Sequence, residues 1–513
     1  MKLMKRIAAI MLSVVMVLGM SSVVSAASTG SGTSATTKGK ITIDNAIVGQ
    51  TYKIYKILEL ESYDSTAGSY AYKVATGSGW EGFVTGTGST YLTKDASGYV
   101  TWIGGSVATS YAEFAKKALA YAKDPSNGVT EAGTKEATTT TGATITTVEF
   151  TDLALGYYLV ESSTGALCSL TTTANEITIQ EKNGAPTVKK EVKKAEGTYA
   201  NSNTASIGDT VEFKTTITAQ PGAENYVLHD KMDAGLTFDN TSVVVKLKKS
   251  TDGTENNLTS GTEYTITSAT GTGDPADGCT FEIKFTPTFC DNLEANDEII
   301  VTYSATLNKN ANTGATPGNT NETKLAYGDN KKTTESTTTT KTFEVPVFKY
   351  TEDTAGNKTG LAGAKFKLST SDNLSAAGAT AIKLTKLTGT TEDTYRVDKT
   401  GTVEEITTTN SISGSEGKFT IKGLGAGTYY LHETKQPDGY NKLKDPVKVV
   451  IAENGDITVG TVATVVTEVG VENKTGSLLP STGGRGTTIL YVLGALLVLG
   501  SSVVLITKRR MKE

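Results

Sequence analysis

Three segments near the C-terminal end of the sequence each place one polar side chain at the end of an apolar stripe. Side chains of a β-strand alternate between two faces, so residues two apart lie on the same side. This alternation aligns Lys349 with the two valines of VPVFKY, Glu433 with the tyrosine and leucine of YYLHE, and Asn473 with the two valines of VGVEN. The pattern predicts that a lysine, a carboxylic acid and a carboxamide meet in one dry core.

Such a trio could form an amide bond without a separate enzyme. Isolated buried charges are costly, and burial lowers the pKa of an amine and raises that of a carboxylic acid. The neutral Lys349 amine would attack the Asn473 carboxamide while Glu433 polarises its carbonyl, and ammonia would leave. Contact in a folded core supplies effective molarities of up to about 10⁵–10⁸ M. The alternative is a snorkelling lysine and an exposed acid near a turn.

A weaker version of the same pattern occurs in the middle of the chain. PTVKKEV, YVLHDKM and GNTNETKLAY alternate so that Lys190, Asp230 and Asn321 each share a face with apolar residues. We therefore predict a bond between Lys190 and Asn321 with Asp230 as the acid. Lys189 as the donor and Glu282 as the acid remain alternatives.

An internal repeat links the first and last parts of the sequence. LALGYYLVE and LGAGTYYLHE share a Gly-Tyr-Tyr-Leu-x-Glu pattern and end at Glu161 and Glu433. The repeat predicts two related domains. Lys53 or Lys56 and Asn175 are candidate partners for the first acid, but the match is loose, and we predict no bond there.

Both ends of the sequence carry targeting signals. Residues 1–26 combine a positive start, an apolar stretch and small residues before a cleavage point, as in secretory signal peptides. Residues 489–506 form an apolar run that is long enough to cross a bilayer core, and the basic tail behind it is expected to stay in the cytoplasm. A turn precedes this run and comprises Leu479, Pro480, Ser481, Thr482 and Gly483.

The segments between these ends predict an all-β fold of tandem Ig-like β-sandwich domains. Thr, Val, Ile and Tyr recur in alternating patterns, and only the segment at residues 110–125 predicts a helix, in the first domain. The predicted divisions are a signal peptide (1–26), a disordered lead (27–39), an N-terminal domain (40–183), a middle domain (184–330), a Thr-rich linker (331–342), a C-terminal domain (343–476) and the turn, membrane helix and basic tail (477–513).

The composition of the 513-residue chain argues against several functional classes. Its net charge is -5 with both signs intermixed, which gives no support to a nucleic-acid partner. Three cysteines and two histidines make a Cys/His metal site improbable, and we predict no metal and no cofactor. A disulfide between Cys279 and Cys290 is left open, with Cys168 unpaired. The sequence lacks a recognisable nucleophile or metal-ligand motif, so we do not predict an enzyme.

The order of turn, apolar run and basic tail resembles the cell-wall sorting signal of Gram-positive surface proteins, with its LPxTG motif. This resemblance implies that a sortase cleaves after Thr482 and holds its acyl group as a thioester.

The C-terminal domain resembles the CnaB-type domains of Gram-positive pilins and adhesins, and HETKQPDGY looks like their E-box. That resemblance implies an isopeptide bond between Lys349 and Asn473, assisted by Glu433. The middle domain resembles the CnaA-like domain of pilin shafts.

Over nearly its whole length the sequence resembles a major backbone pilin. In shaft pilins, one lysine accepts the threonine acyl group of a neighbouring subunit. This lysine lies in a V-x-V-Y-P-K-N-like segment at the end of the first domain. ITIQEKN stands at that place and supplies Lys182, although Gln-Glu replaces Tyr-Pro and leaves Lys189 as a rival. The resemblance implies that Thr482 of one subunit is linked to Lys182 of the next.

The resemblance also implies a set of partners. These are a class C pilus sortase, a housekeeping sortase, identical subunits, minor pilins and peptidoglycan. The alternative is a wall-anchored adhesin, or a minor tip or basal pilin, that binds a host ligand and is not polymerised through its own lysine. A high-mass ladder in boiled wall extracts would separate the two hypotheses.

Overall fold

The computed structural model describes residues 38–64, 69–104, 108–138, 146–162, 165–167, 176–181, 184–220, 222, 224–268, 277–328, 331–475 and 486–510. The predicted signal peptide, Cys168, Asn175, Lys182 and the LPSTG segment lie outside these residues. Of the described residues, 49% lie in strands and 11% in helices, which confirms the all-β prediction. The chain divides into two compact units. The first comprises residues up to 205, 209–312 and 316–341, and the second comprises 206–208, 313–315 and the residues from 342 onward.

The first unit begins with the strands of the predicted N-terminal domain. These are β1 (Lys38–Asp44), β2 (Thr51–Asp64), β3 (Ser69–Lys73), β4 (Leu92–Lys94), β5 (Tyr99–Trp102), β6 (Gly133–Glu136), β7 (Thr147–Ala154), β8 (Gly156–Ser162), β9 (Gly165–Leu167) and β10 (Glu176–Gln180). They form one sheet ordered β10-β1-β7 and another ordered β4-β5-β3-β2-β8-β9, with β6 on β2. Since β1 begins at Lys38, the last two residues of the predicted disordered lead belong to a strand.

The predicted helix of this region is present as α2 (Ala108–Lys123). Its buried face includes Phe114, Ala115 and Ala118, and Phe114 packs edge-on against Phe83. Phe83 belongs to a short helix, α1 (Glu81–Thr85), and a single 3₁₀ turn covers Pro125–Asn127. The prediction of one helix was therefore incomplete, because α1 is too short for an apolar periodicity to stand out in the sequence.

The rest of the first unit carries the predicted middle domain. Its strands are β11 (Thr187–Lys193), β12 (Tyr199–Ala200), β13 (Ser202–Thr204), β14 (Thr210–Thr218), β15 (Val227–Met232), β16 (Leu236–Lys248), β17 (Glu255–Asn257), β18 (Tyr264–Ser268), β19 (Phe281–Phe285), β20 (Glu298–Leu307), β21 (Gly314–Tyr327) and β22 (Lys331–Lys332), with a helical turn α3 (Pro287–Cys290). One sheet runs β12-β11-β14-β20-β16-β17, and β18-β19-β15-β21 are neighbours in another. Cys279 and Cys290 are both buried free thiols.

The second unit contains one long helix and the remaining strands, except that residues 336–341 of its first strand fall in the first unit. The strands are β23 (Ser336–Glu352), β24 (Lys358–Gly360), β25 (Lys365–Ser369), β26 (Leu384–Lys386), β27 (Asp393–Val397), β28 (Ile406–Thr407), β29 (Lys418–Leu424), β30 (Gly427–Lys435), β31 (Val447–Ile451), β32 (Ile457–Val459), β33 (Val465–Val466) and β34 (Val469–Glu472), and the helix is α4 (Gly486–Arg510). One sheet orders β23-β29-β27-β26 with β24 and β34 on β23, and the other runs β28-β25-β30-β31-β32-β33. Within α4, residues 491–509 are long and apolar enough to cross a membrane.

The predicted Thr-rich linker is wrong for most of its length, because β23 already begins at Ser336. Thr338, Thr340 and Thr342 are buried while the residues between them are more exposed. This alternation is that of a strand, and the β-branched threonine side chain packs well on a pleated surface. High threonine content therefore marked a strand here and not a flexible connection.

Candidate functional site

The second unit brings Lys349 and Asn473 together through the pairing of its first and last strands. β23 and β34 run parallel with Lys349 opposite Val471, and the backbone N–H of Asn473 donates to Tyr350 O at 2.9 Å. Both side chains are buried, with Lys349 0% and Asn473 1% exposed. The apolar alternation of VPVFKY and VGVEN accounts for this burial.

Glu433 reaches the same place from β30 and lies between the lysine and the amide. Its Oε1 is 3.7 Å from Lys349 Nζ, and its Oε2 accepts from Asn473 Nδ2 at 3.2 Å and from the Leu443 N–H at 2.7 Å. Lys349 Nζ also donates to Val471 O at 3.0 Å. Among the described residues, no hydrogen bond reaches Glu433 Oε1 or Asn473 Oδ1.

Burial governs the charge state of the lysine. Loss of hydration lowers the pKa of Lys349 to about 8, against the opposing effect of the Glu433 carboxylate. Roughly a tenth of the amine is then neutral at pH 7, whereas an exposed lysine is almost wholly charged. The neutral amine is the nucleophilic form, so the site supplies a reactive amine beside an acid and a carboxamide.

The middle domain contains a second buried set, built from four strands. Lys190 Nζ donates to Asp230 Oδ2 and to the Tyr303 hydroxyl at short distances, and Tyr303 donates to the same Asp230 oxygen. Asn321 Nδ2 donates to the Tyr303 oxygen at 3.2 Å. Lys190, Asp230 and Asn321 are each at most 1% exposed. The structure thus places the three predicted side chains around a tyrosine that our sequence analysis did not single out.

The signal for Tyr303 was present in the sequence. EIIVTYSATL alternates so that Ile299, Val301 and Tyr303 share the buried face of β20. The alternation predicts a buried strand face that ends in a tyrosine hydroxyl, but it does not indicate which side chains that hydroxyl meets. The tyrosine ring also stacks against Phe213 at 5.6 Å and meets Phe281 edge-on at 4.9 Å, which keeps the site dry.

Burial shifts the protonation of this second set in the direction that favours neutral groups. Desolvation lowers the pKa of Lys190 and raises the pKa of Asp230, and their mutual attraction opposes both shifts. Desolvation and the Asp230 charge raise the pKa of Tyr303. The tyrosine therefore stays protonated, and its hydroxyl can donate to the acid while its oxygen accepts from the amide.

The alternatives for this set lie elsewhere. Lys189 points to the exposed face of β11 and pairs with Glu191 at 2.8 Å. Glu282 lies 3.1 Å from the His229 imidazole. In the described part of the chain, neither residue makes a hydrogen bond or ion pair with Asp230 or Asn321.

The corresponding acid of the N-terminal domain has different partners. Glu161 is 1% exposed, accepts from the Tyr55 hydroxyl at 2.9 Å and pairs with Lys123 of α2 at 2.7 Å. Lys53 pairs with Glu131 at 2.6 Å. The structure therefore pairs Glu161 with a helix lysine that our sequence analysis did not consider.

Comparisons with known proteins agree with the arrangement of the C-terminal part. Residues 347–464 match the SpaA prealbumin-like fold domain, and residues 471–513 match the LPXTG cell wall anchor motif. A segment of 83 residues is 41% identical to fimbrial subunit type 1 of Actinomyces viscosus. This segment is 16% of the chain and spans only 15% of that relative.

Two of the solved structures that the chain matches are pilins. A three-domain backbone pilin of Streptococcus pyogenes is 16% identical, with 80% of each chain covered and a TM-score of 0.49. The major pilin SpaD of Corynebacterium diphtheriae is 20% identical, with 86% of this chain and 98% of that one covered and a TM-score of 0.43. The chain thus carries a prealbumin-like domain followed by an LPXTG anchor, and it is a cell-wall-anchored surface protein.

Proposed function

We propose that this chain is the structural backbone subunit of a covalently polymerised pilus. In this proposal a class C sortase links Thr482 of one subunit to Lys182 of the next, and a housekeeping sortase attaches the finished fibre to peptidoglycan. The buried Lys349, Glu433 and Asn473 set directly before the LPXTG anchor carries the proposal. The fimbrial relative supports it. The chain's own role is structural, since every reaction within it is a single self-modification.

The proposed bond in the C-terminal domain follows from the positions of the three groups. The neutral Lys349 amine attacks the Asn473 carboxamide carbon, and Glu433 donates a proton to the carbonyl oxygen. As the tetrahedral intermediate collapses, Glu433 passes one proton from the lysine nitrogen to the amide nitrogen, which leaves as ammonia. The carbonyl oxygen then returns its proton to Glu433. One carbon–nitrogen bond forms and one breaks, so the chain loses the mass of one ammonia.

We extend the proposal to Lys190 and Asn321 in the middle domain, with Asp230 as the acid. Tyr303 contacts all three side chains, so it would hold the amide against the lysine and relay a proton from Asp230. Its own proton is not consumed, because it receives one from the acid as it donates one to the amide. The proposed domain boundaries place Lys182 at the end of the N-terminal domain, next to the middle domain.

The position of the proposed bonds suits a protein under tension. Lys349 lies in the first strand of the second unit and Asn473 directly after the last, and these strands are paired in parallel. Force applied at the two ends of this unit would load the amide and not the hydrogen bonds between the strands. Unzipping would then require breaking a covalent bond.

Boiled cell-wall extracts of a strain that expresses the chain test the polymer directly. We expect a ladder of high-mass species that Lys182→Arg reduces to a single anchored band, whereas the matched Lys189→Arg control keeps the ladder. Thr482→Ala should abolish both the ladder and the wall anchoring. A single band from the unaltered chain would contradict the proposal and favour the wall-anchored adhesin or minor pilin.

A further inference from the structure

A second polar cluster lies on the outer side of the strand that supplies Asp230. His229 precedes this acid on β15, so its side chain points to the opposite face. Antiparallel pairing puts Glu282 of β19 directly opposite His229, and the turn before β19 supplies Asp277 and Cys279. The potential ligand atoms of these four residues all lie within 4.8 Å of one another.

We propose that His229, Asp277, Cys279 and Glu282 form a binding site for one divalent transition metal ion, with Zn²⁺ as the best fit. The His229 Nδ1 atom lies 3.1 Å from Asp277 Oδ2 and 3.1 Å from Glu282 Oε1. The Cys279 Sγ atom lies 3.9 Å from His229 Nδ1 and 3.8 Å from Glu282 Oε1. Tetrahedral zinc with its usual bond lengths separates such ligand atoms by about 3.3–3.6 Å, close to these values.

Hydrogen bonds account for only part of the arrangement of the cluster, in which the Cys279 thiol also lies 3.5 Å from Phe281 O. The single hydrogen on His229 Nδ1 can point at only one of the two carboxylates that lie at equal distance from it. A metal ion would bind both carboxylate oxygens, the imidazole nitrogen and the sulfur at once. The second oxygen of Asp277 accepts from the Cys279 backbone N–H at 3.2 Å, which holds its Oδ2 towards His229. Metal ligands are commonly oriented by such outer hydrogen bonds.

The donor set selects the class of ion. Ca²⁺ and Mg²⁺ prefer sites made only of oxygen, whereas one thiolate, one imidazole and two carboxylates suit Zn²⁺ and its neighbours in the first transition series. On binding, the Cys279 thiol gives up its proton to water and the sulfur bonds to the metal, with no change of oxidation state. The composition had argued against a Cys/His metal site because the chain has only three cysteines and two histidines, and this cluster uses one of each together with two carboxylates.

A metal ion here would add a reversible crosslink to the middle domain. It would join the turn at Asp277 and Cys279 to β15 and β19, on the opposite face from Lys190 and Asp230. This inference does not depend on the proposed function, because the ligands and the amide-forming groups are different residues.

Metal titration of the full-length chain tests the site. The chain is purified in detergent without a histidine tag, treated with a chelator and a phosphine reductant, and titrated with Zn²⁺ alone or Co²⁺ alone. We expect one Zn²⁺ per chain and a Co²⁺ complex with a thiolate-to-cobalt charge-transfer band. Cys279→Ser should remove this band and weaken Zn²⁺ binding by more than about 100-fold, because losing a ligand costs more than losing an outer partner.

Cys290→Ser is the matched control, since Cys290 is also a buried free thiol. It should keep the cobalt band and the zinc affinity. Asp277→Asn changes an exposed ligand with little risk to folding and should weaken Zn²⁺ binding at least tenfold. The proposal is overturned if wild-type chain binds no Zn²⁺, if its cobalt complex lacks the thiolate band, or if Cys279→Ser and Asp277→Asn bind Zn²⁺ as tightly as wild type.

Discussion

Glu161 and Glu433 end the two copies of the same internal repeat, and the structure gives them different surroundings. Both side chains lie in a dry interior, on β8 and β30. Glu433 meets a fully buried strand lysine and a carboxamide, whereas Glu161 meets a tyrosine and Lys123, whose side chain is 38% exposed. Burial favours the neutral, nucleophilic amine at Lys349, whereas Lys123 keeps part of its contact with water.

The difference shows that the repeat encodes the acid and its burial but not its partners. The partners come from other elements: β23 and the end of β34 in the second unit, and the helix α2 in the first. Because α2 carries Lys123 to the acid from a partly solvated side, the same acid makes an ion pair there. We therefore expect self-crosslinking chemistry at Glu433 and ordinary electrostatics at Glu161.

The largest expected effect concerns the intact mass of the chain. Glu433→Ala should abolish the amide of the second unit, so the variant keeps the mass of one ammonia that wild type loses, because no acid remains to protonate the carboxamide. Mass spectrometry of the purified full-length chain measures this difference. Glu161→Ala is the matched control and should differ from wild type only by the substitution. A retained ammonia deficit in Glu433→Ala would refute the role of this acid.

The next effect concerns the stability of the second unit. Asn473→Ala removes the crosslink, which would close a loop of about 125 residues between positions 349 and 473. By analogy with disulfides, losing a loop of that size costs about 5 kcal/mol of the free energy of unfolding. Denaturant titration of the full chain, with hydrogen exchange of β23 and β34 as the local probe, measures the loss. Equal stability of wild type and Asn473→Ala would show that no covalent bond joins these strands.

The burial of the three second-unit side chains could be predicted from the sequence because the evidence for it is local. Lys349, Glu433 and Asn473 each end an alternating apolar stripe, and alternation alone fixes which face a side chain occupies. Tyr303 was missed because its role depends on which strands become neighbours, and the order β14-β20-β16 is set by long-range pairing. The Lys123 ion pair was missed for the same reason, since nothing near α2 in the sequence indicates which strand the helix covers.

A third effect is a pH dependence that the uncrosslinked site should show. In Asn473→Ala, the folded Lys349 has a pKa of about 8 while the unfolded lysine has one of 10.5. Between these values the unfolded chain binds the extra proton, so stability rises with pH, by up to about 3 kcal/mol in total. Denaturant titrations at pH 8, 9 and 10 measure the slope. The double variant Asn473→Ala/Lys349→Met should lack it, and a slope in that variant would assign the dependence to another group.

The smallest expected effect concerns Glu161, the acid of the first unit. Lys123→Met removes the cation beside Glu161 but leaves the Tyr55 hydroxyl to donate to the same acid. Because the lysine is more than a third exposed, solvent screens the pair, and we expect a loss of less than about 1 kcal/mol in the free energy of unfolding. In Lys349→Met, by contrast, no amide can form, so the chain should keep the mass of the ammonia that wild type loses. If Lys123→Met changed the intact mass by more than the substitution itself, Lys123 would be covalently linked, and the distinction between the two acids would fail.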